Sequence, residues 1–200
     1  MAAAEIILLI SALILVYTYI GYPSVTLLVS RFHKDSKSAG DYFPTVSILM
    51  PVYNEEKVIG KKIECLLGSD YPPEKIEILA GSDASDDGTE SVILSYARSD
   101  GRIKLIRSIM REGKASVLNR LASAASGEIL VITDANVMPE PECLKKVISH
   151  FSDEKTGLCD ATPLTPAITH NGIAHQEEMY SSFEMRLKNS EAKAWGTYIP

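Results

Sequence analysis

One stretch of nine residues decides the fold: Glu128-Ile-Leu-Val-Ile-Thr-Asp-Ala-Asn136. Its unbroken run of β-branched and aliphatic side chains predicts a fully buried strand of a parallel sheet. In open α/β sheets ligands bind beyond the carboxyl ends of the strands, so Asp134 and Asn136 are predicted to face a substrate. Their oxygen atoms suit Mg²⁺ or Mn²⁺. The alternative is a turn in which both side chains serve only local hydrogen bonds.

The composition is that of a folded protein. Of 200 residues, 46% are hydrophobic and 23% are charged, which is enough apolar material for a core. The net charge of -6 and the absence of a Lys/Arg cluster argue against nucleic acid as a partner. Cys65, Cys143 and Cys159 are odd in number and far apart in the chain, so we predict reduced, structural thiols.

Residues 6–30 form an apolar segment without a charged side chain. A helix of this length is long enough to cross a hydrocarbon core of about 30 Å. A signal peptide and a buried core helix are the alternatives. No basic region precedes the segment, however, and it is longer than the usual apolar part of a signal peptide. We therefore predict a transmembrane helix over residues 1–30, which Gly21 and Pro23 kink or end early.

The charges that flank the apolar segment predict its orientation. Arg31, His33 and Lys34 follow it directly, whereas only Glu5 precedes it. Because positively charged residues stay on the cytoplasmic side, the rest of the chain is predicted to be cytoplasmic on a single-pass membrane anchor. The predicted domains after the anchor are a linker over residues 31–44 and a soluble domain over residues 45–200.

Strands and helices alternate along the predicted soluble domain. A buried strand begins at Thr45, is broken at Pro51 and is followed by a helix with apolar residues at helical spacing. Such alternation predicts a doubly wound α/β sheet. The further predicted strands cover residues 76–80, 103–106 and 157–162, and the later predicted helices cover residues 141–151 and 176–195.

Several polar side chains are predicted to cap helices or form turns. Asn54 suits the N-cap position of the helix after the first strand. Asp87 and Glu90 fit a capping box at the start of the next helix. Asp86 and Asp87 are therefore interpreted as turn and cap residues, not as ligands.

Four short motifs follow one another in order between residues 45 and 160. They are Pro51-Val-Tyr-Asn-Glu-Glu56, Ser82-Asp-Ala-Ser-Asp-Asp-Gly-Thr89, Gly113-Lys114 with Leu118-Asn119, and Thr133-Asp-Ala-Asn136. In this order, behind an apolar helix, they resemble the nucleotide-sugar-binding half of a family 2 glycosyltransferase. The resemblance implies a GT-A fold, a Rossmann-like, mostly parallel sheet flanked by helices. In that fold a nucleotide-diphosphate sugar lies across the strand ends.

The first two motifs carry the residues expected at the nucleoside. Pro51, Tyr53 and Glu55 match the loop that lines the nucleoside pocket in the family. An aromatic ring can cover a nucleobase, and a carboxylate can accept a hydrogen bond from a hydroxyl or a ring N–H. Asp83 aligns with the family aspartate that binds the base, usually uracil.

The last two motifs carry the residues expected at the diphosphate. Lys114 and Asn119 match the Gly-Lys and Leu-Asn motif, in which the lysine is a point charge for phosphate or ribose oxygen; a solvated lysine is the alternative. Asp134 and Asn136 stand at the family's Asp-x-Asp pair, which implies Mg²⁺ or Mn²⁺ as cofactor. Because Asn136 keeps the oxygen donor and loses a charge, we expect weaker metal binding or greater reliance on the diphosphate.

The last part of the chain offers weaker candidates. Residues 176–195 resemble the family helix that borders the acceptor side, with a simple packing helix as the alternative. Asp160 is a minor candidate for contact with the donor. His170 and His175 lie in a polar stretch and are predicted to be solvated, not metal ligands.

Membrane-anchored members of the family continue to a catalytic carboxylate, a Gln-x-x-Arg-Trp motif and further membrane helices. No candidate for these features occurs before Pro200. We therefore expect an N-terminal fragment, a split gene product or a truncated frame, with a C-terminal half encoded downstream as a partner. The catalytic base is unassigned; Glu177, Glu178 and Glu184 are acids of the acceptor-side segment.

Three functions remain open. The first is inverting transfer of a hexosyl or N-acetylhexosaminyl group from a uridine-linked nucleotide-diphosphate sugar to a polysaccharide or lipid-linked acceptor at the membrane. The second is an inactive module that binds nucleotide or partners with a complete enzyme. The third is a dinucleotide-binding oxidoreductase, which the missing Gly-x-Gly-x-x-Gly disfavours.

Overall fold

The structure, a computed structural model, describes residues 3–32, 42–161 and 173–196, with side chains from residue 182 onward in the last range. The chain divides into two compact units, one of residues 1–36 and 164–200 and the other of residues 37–163. The helices are α1 (Ala3–Val16), α2 (Tyr22–Ser30), α3 (Glu56–Leu67), α4 (Thr89–Ser99), α5 (Lys114–Ala124), α6 (Cys143–Ser149) and α7 (Ile173–Trp195).

The unit of residues 37–163 is built on a parallel four-stranded sheet. Its strands are β1 (Val46–Val52), β2 (Ile76–Ser82), β3 (Ile103–Arg107) and β4 (Ile129–Ile132). Their order across the sheet is β3-β2-β1-β4, and every neighbouring pair is parallel. Helices α3, α4 and α5 connect successive strands. The predicted doubly wound α/β architecture is therefore confirmed.

Alternation of side chains along the strands divides the core between the two faces of the sheet. Ile48 and Met50 face one side, where they pack with Ile59 of α3 and Ile93 of α4. Leu49 faces the other side and packs with other apolar residues of β2 and α5. A strand places successive side chains on opposite faces, so the apolar run of β1 serves two layers of helices.

The prediction that β4 is fully buried is wrong. Among the described residues β4 pairs only with β1, so it lies at the edge of the sheet. Ile129 and Val131 pack against the core, whereas Leu130 is 46% exposed and Ile132 is 60% exposed. An apolar run predicts burial on both faces, but burial depends on which layers of the fold cover each face.

Strand β1 is not broken at Pro51 but continues through it to Val52. Proline has no N–H and would interrupt a ladder of hydrogen bonds on the side it faces. The pairing of β1 with β4 ends at Leu49, opposite Ile132. Pro51 lies two residues later, so its backbone nitrogen points to the β4 edge of β1, as the backbone of Leu49 does. Beyond Leu49 no hydrogen-bond donor is needed at that edge.

The predicted strand over residues 157–162 is also wrong within the described range. Residues 157–161 have no regular secondary structure, and residue 162 lies outside the described residues. Leu158 is 74% exposed, so the apolar residues of this stretch do not pack as a core strand would. The helix expected at 141–151 is present as α6 with a 3₁₀ turn, His150–Ser152, and buries Leu144 and Ile148.

The predicted caps of two helices are only partly formed, because Asp87 accepts from the Thr89 N–H at the start of α4 at 2.9 Å, whereas Asn54 does not cap α3. Asn54 has a positive φ of 54° and is not the N-cap of α3; Glu55 occupies that position. The amide of Glu56 instead donates to the Asp87 carboxylate at 3.2 Å. The capping box with Glu90 is not formed, because Glu90 pairs with Arg107 at 2.8 Å.

The unit of residues 1–36 and 164–200 begins with one long apolar helix. Helix α1 passes through a π-helical turn, Tyr17–Gly21, directly into α2. The helix therefore does not end at Gly21 or Pro23, contrary to one of the two predicted outcomes. Residues 3–30 form the single helix of the described residues that is long and apolar enough to cross a membrane.

Helix α7 packs against α2 within this unit. The Tyr22 hydroxyl donates a 2.5 Å hydrogen bond to the carboxylate of Glu191, which is only 5% exposed. The helix expected over residues 176–195 is thus present as α7. Glu177, Glu178, His175 and Tyr180 belong to the part of α7 whose side chains are not described, and His170 lies outside the described residues.

Candidate functional site

A cleft of about 280 Å³ lies at the carboxyl ends of the parallel strands. Loops that follow all four strands, together with the start of α5, supply its walls. Parallel strands end at one edge of their sheet, so residues distant in sequence meet there. The residues that line the cleft are Pro51, Val52, Tyr53, Glu55, Asp83, Arg111, Gly113, Lys114, Val117, Asp134, Ala135 and Asn136.

Seven of the eight predicted site residues line this cleft, and Asn119 does not. Asn119 is exposed on α5, five residues after Lys114. Five residues of an α-helix turn the side chain by about 140° from the starting direction, so the two side chains point to different sides. The structure therefore separates the lysine of this motif from its asparagine.

The loop after β1 is fixed by reciprocal hydrogen bonds with the loop after β2. The amide of Asn54 donates to the Asp86 carboxylate at 2.5 Å, and the Asp86 backbone N–H donates to the Asn54 side-chain oxygen at 3.0 Å. The Glu55 backbone N–H donates to the Thr89 hydroxyl at 2.8 Å. These contacts leave the side chains of Tyr53 and Glu55 free to line the cleft.

Asp83 is buried and already carries two hydrogen bonds. Its carboxylate accepts from the backbone N–H groups of Glu112 at 2.7 Å and Gly113 at 3.0 Å. Two charge-assisted bonds hold the loop between β3 and α5 against the end of β2. In this structure Asp83 therefore positions a loop of the cleft, a role beyond the base contact that the resemblance implies.

Arg111 is a residue of the cleft that was not predicted from the sequence. The loop that Asp83 holds carries Arg111, whose guanidinium lies 4.0 Å from the centre of the Tyr53 ring. A cation over an aromatic face is attracted by the ring quadrupole. The available signal was a basic side chain three residues before Lys114, in a loop that precedes a helix.

The candidate metal ligands lie on the loop after β4. Asp134 is half-exposed, and its Oδ1 forms an ion pair with the Lys114 Nζ at 2.6 Å. Asn136 is exposed on the same loop. The described residues contain no group of three or more His, Cys, Asp or Glu side chains that could hold a metal. Two oxygen donors fit Mg²⁺ or Mn²⁺, which commonly bind one or two protein oxygens and complete their shell with phosphate and water.

Beneath this loop lies Lys62 of α3, a fully buried lysine that the sequence analysis also missed. Its ammonium donates to the Thr133 hydroxyl at 2.7 Å and to the Val137 carbonyl oxygen. Burial lowers the pKa of Lys62 to about 8, although the nearby charge of Asp134 opposes the shift. A signal was present, because Lys62 falls on the apolar face of α3 between Ile59 and Leu66.

A second, more apolar cavity of about 410 Å³ runs along the exposed face of β4. Asp160 lines this cavity and not the cleft at the strand ends. Asp134 and Lys114 lie on both. Leu130 and Ile132 contribute apolar surface to it, as do residues of α6. Asp160, the minor candidate for contact with the donor, therefore lies in the neighbouring cavity and not in the cleft.

Comparison with known proteins identifies the family. Residues 47–199 match the family described as glycosyl transferase family 2, and the chain belongs to that family. The resemblance seen in the four motifs is therefore confirmed. The parallel sheet with its helices agrees with the GT-A-type α/β fold that the resemblance implied.

The chain matches only part of the length of each curated relative. The chain is 29% identical over 142 residues to two beta-monoglucosyldiacylglycerol synthases, from Nostoc sp. and from Trichormus variabilis. The match covers 70% of this chain and 30% of each relative. The chain thus spans about a third of the length of these relatives.

Solved structures give a similar picture. The mannosyltransferase PcManGT from Pyrobaculum calidifontis, in complex with GDP-Man and Mn²⁺, has a TM-score of 0.71 at 28% identity. That match covers 92% of this chain and 51% of the mannosyltransferase. S. aureus TarS 1-349 in complex with UDP-GlcNAc has a TM-score of 0.50 at 27% identity, covering 56% of this chain and 32% of TarS.

Proposed function

We propose that this chain binds the donor of an inverting glycosyltransferase, a nucleotide-diphosphate sugar, in the cleft at the strand ends. The observation that carries the proposal is the gathering of Tyr53, Glu55, Asp83, Lys114 and Asp134 around one cleft from four separate segments. Aromatic, acidic and basic groups in one cleft match the chemically distinct parts of such a donor. Membership of glycosyl transferase family 2 supports the same function.

The nucleoside would bind on the side of the cleft formed by Pro51, Tyr53 and Glu55. The Tyr53 ring, backed by Arg111, offers a flat surface against which a base can stack. The Glu55 carboxylate can accept hydrogen bonds from ribose hydroxyls or from a ring N–H. The carboxylate of Asp83 retains acceptor capacity after its two backbone bonds, so it can hold the loop and also meet the base.

The diphosphate would bind at the other end, near Lys114. A divalent cation held by Asp134 and Asn136 would neutralise the charge that develops on the departing diphosphate. The Lys114 ammonium pairs with Asp134. Because both side chains are about half exposed, that pair is weak and Lys114 can turn from the carboxylate to a phosphate oxygen.

The identity of the donor and acceptor is the finer part of the proposal. We infer a uridine-linked hexosyl or N-acetylhexosaminyl donor and a glycan or lipid-linked acceptor. Structures of similar proteins hold UDP-GlcNAc or GDP-Man, and other similar proteins are beta-monoglucosyldiacylglycerol synthases. We also propose a single-pass anchor over residues 1–30, with residues 45–200 as a cytoplasmic transferase domain, an arrangement that suits a lipid-linked acceptor.

The alternative function is a nucleotide-binding module that lacks transfer activity by itself. Inverting transfer needs a base for the acceptor hydroxyl, and such a base contributes about 10²- to 10⁴-fold to the rate. Among the described residues the acids that line the cleft are Glu55, Asp83 and Asp134, and each already has a proposed role at the donor. Glu184 is exposed and paired with Lys188 at 3.4 Å.

Calorimetry of nucleotide binding tests the proposal. The purified chain should bind UDP, and GDP more weakly, and Mn²⁺ should tighten that binding by about tenfold or more, or 1.4 kcal/mol. Asp134→Ala should abolish the gain, because it removes the only charged ligand of the pair. Asp70→Ala, an exposed aspartate outside the cleft, is the matched control.

Equal binding with Mn²⁺ and with a chelator would contradict the metal assignment, and no binding of either nucleotide would contradict the donor site. A transfer assay with radiolabelled sugar nucleotides separates the two candidate functions. Binding without transfer favours the inactive module. Transfer by the 200-residue chain favours the enzyme and would require a base among the acids of residues 176–195.

A further inference from the structure

The buried ammonium of Lys62 lies against both ends of the loop that carries Asp134 and Asn136. Its acceptors are the hydroxyl of Thr133, one residue before Asp134, and the backbone carbonyl of Val137, one residue after Asn136. A single cationic group thus joins the two ends of a five-residue segment. Hydrogen bonds from a charged donor are stronger than those between neutral groups.

The rest of the loop has further supports: Asp134 pairs with Lys114 at 2.6 Å, and Ala135 is buried in the core. The Thr133 backbone N–H donates to the Leu49 carbonyl of β1 at 3.1 Å, which continues the ladder for one residue. Beyond it, the Val137 N–H donates to the Asp134 carbonyl at 3.4 Å, a long bond that closes the turn. The loop lies at the exposed edge of the sheet, and the Lys62 ammonium is a buried group that contacts both of its ends.

A buried lysine is unfavourable for stability unless hydrogen-bond partners compensate for the lost hydration of its ammonium group. Lys62 is completely buried, on the face of α3 that carries Ile59 and Ile63. Lysine is almost never fully buried without partners, because removal of an ammonium from water carries a large desolvation penalty. A methionine or leucine would pack at this position without that penalty. The charge therefore points to a role at the loop.

Helix α3 also connects this contact to the other side of the cleft. It begins at Glu56, directly after the loop with Tyr53 and Glu55, and Lys62 lies fewer than two turns into the helix. The helix is a rigid element that carries the expected nucleoside-binding loop at its start and contacts the expected metal-binding loop through Lys62. It fixes the spacing between the two halves of the cleft.

We propose that Lys62 is a positioning residue that holds residues 133–137 in the conformation presenting Asp134 and Asn136 to a divalent cation bound with a nucleoside diphosphate. The proposal rests on the proposed donor site. It explains how one carboxylate and one amide serve as a metal site, since a preorganised loop compensates for the second carboxylate that Asn136 lacks. Groups that orient metal ligands in this way typically affect metal affinity about 10- to 100-fold.

Two pairs of variants isolate the contact. Lys62→Met keeps much of the aliphatic stem and removes the ammonium, and Lys61→Met changes an exposed lysine of the same helix as its control. Thr133→Val removes only the hydroxyl that accepts from Lys62. Thr133→Ser retains the hydroxyl and is the conservative rescue.

The full-length variants and the wild-type chain, in detergent, should be titrated with Mn²⁺, with binding measured by electron paramagnetic resonance. The titration is done once with saturating UDP and once with saturating GDP. Lys62→Met and Thr133→Val should weaken Mn²⁺ binding by about 10- to 100-fold. In the same variants, hydrogen exchange should become faster in peptides that cover residues 129–138. Their melting temperatures should stay within about 4 °C of wild type. Lys61→Met and Thr133→Ser should match wild type in all three measurements.

Wild-type Mn²⁺ affinity and wild-type loop exchange in Lys62→Met would overturn the proposal. A lower melting temperature with both of these unchanged would indicate a purely structural lysine and would also overturn it. If Lys62→Met does not fold, the Thr133→Val and Thr133→Ser pair decides by the same criteria. If the wild-type chain binds neither nucleotide with Mn²⁺, the proposed function fails, and hydrogen exchange alone then decides whether Lys62 positions the loop.

Discussion

Two ionisable side chains lie at opposite ends of the same sheet, the partly buried Glu77 at the amino ends of the strands and the buried Lys62 at the carboxyl ends. Burial alone would raise the pKa of Glu77, but hydrogen bonds from Ser47, Ser126 and Lys104 lower it to about 2. Burial lowers the pKa of Lys62 to about 8. The charged form is therefore stabilised at the amino end and disfavoured at the carboxyl end.

The difference comes from how many partners each group has. The Glu77 carboxylate accepts from the Ser47 hydroxyl at 2.5 Å, the Ser126 N–H at 2.6 Å, the Ser126 hydroxyl at 2.8 Å and the Lys104 ammonium at 2.9 Å. Lys62 has two neutral acceptors, and both belong to the loop of the cleft. The amino end is thus built for stability, whereas the carboxyl end retains a buried charge at the proposed binding site.

The largest effect on stability is expected at Glu77. Its pKa is lowered from 4.5 to about 2, so its contribution is fully present above pH 4.5 and is lost as the pH falls towards 2. Glu77→Gln should reduce the free energy of unfolding at pH 7 by about 3 kcal/mol. It should also flatten the dependence of stability on pH between 4.5 and 2. Urea unfolding across this pH range measures both effects.

Glu74→Gln is the control for this prediction, because Glu74 is exposed one turn before β2. It should leave the unfolding curves at their wild-type positions. Equal stability of Glu77→Gln and Glu74→Gln would show that the hydrogen bonds around Glu77 do not stabilise the fold, and the contrast between the two ends of the sheet would disappear.

Two glycines give a matched pair of intermediate effect. A Cβ on Gly127, at the amino end, would lie 2.5 Å from the Ser47 backbone nitrogen, and overpacking of this kind typically costs about 1–3 kcal/mol. Gly113, at the cleft, has space around it but a φ of 88° and a ψ of 158°, a region that costs a side chain about 1–3 kcal/mol.

Gly127→Ala and Gly113→Ala should therefore destabilise the chain to a similar degree, as measured by urea unfolding. Only Gly113→Ala should weaken UDP binding in calorimetry, since it distorts the loop that Asp83 holds in the cleft. Weaker nucleotide binding in folded Gly127→Ala would show that the two ends of the sheet are coupled, not separate in function.

The smallest effect on stability is expected at Lys114. Its ion pair with Asp134 is about half exposed, and pairs of this kind contribute about 0–1 kcal/mol. Lys114→Met should leave the melting temperature almost unchanged. It should strengthen Mn²⁺ binding in the absence of nucleotide, because the carboxylate loses a competing cation, and it should weaken UDP binding. Mn²⁺ titration with and without UDP checks both directions, and stronger binding of UDP by the variant would exclude the proposed contact with phosphate.

Local pattern was sufficient for the alternation of strands and helices, for the apolar helix at the amino terminus and for most residues of the cleft. Residues such as Tyr53, Asp83 and Asp134 stand next to the ends of predicted strands, and parallel strands bring such positions to one edge. This rule placed Asp134 and Asn136 at the cleft, and the resemblance of the motifs to the family placed Pro51, Tyr53, Glu55, Asp83 and Lys114 there as well. The exposed side of Asn119 could also be deduced, since it depends only on helical spacing from Lys114.

What the tertiary structure decided concerns contacts between segments that are distant in the chain. An apolar run cannot reveal that Leu130 and Ile132 lie exposed on an edge strand, because that depends on which neighbours cover β4. A good capping residue such as Asn54 lost its predicted role when Asp87 of another loop supplied the hydrogen bond. The role of Lys62 depends on its hydrogen bond with Thr133, 71 residues away, and the role of Glu77 depends on its hydrogen bond with Ser126, 49 residues away. The sequence by itself determined the elements and the chemistry at their ends, whereas the burial of charge, and hence its pKa and its purpose, was decided by packing.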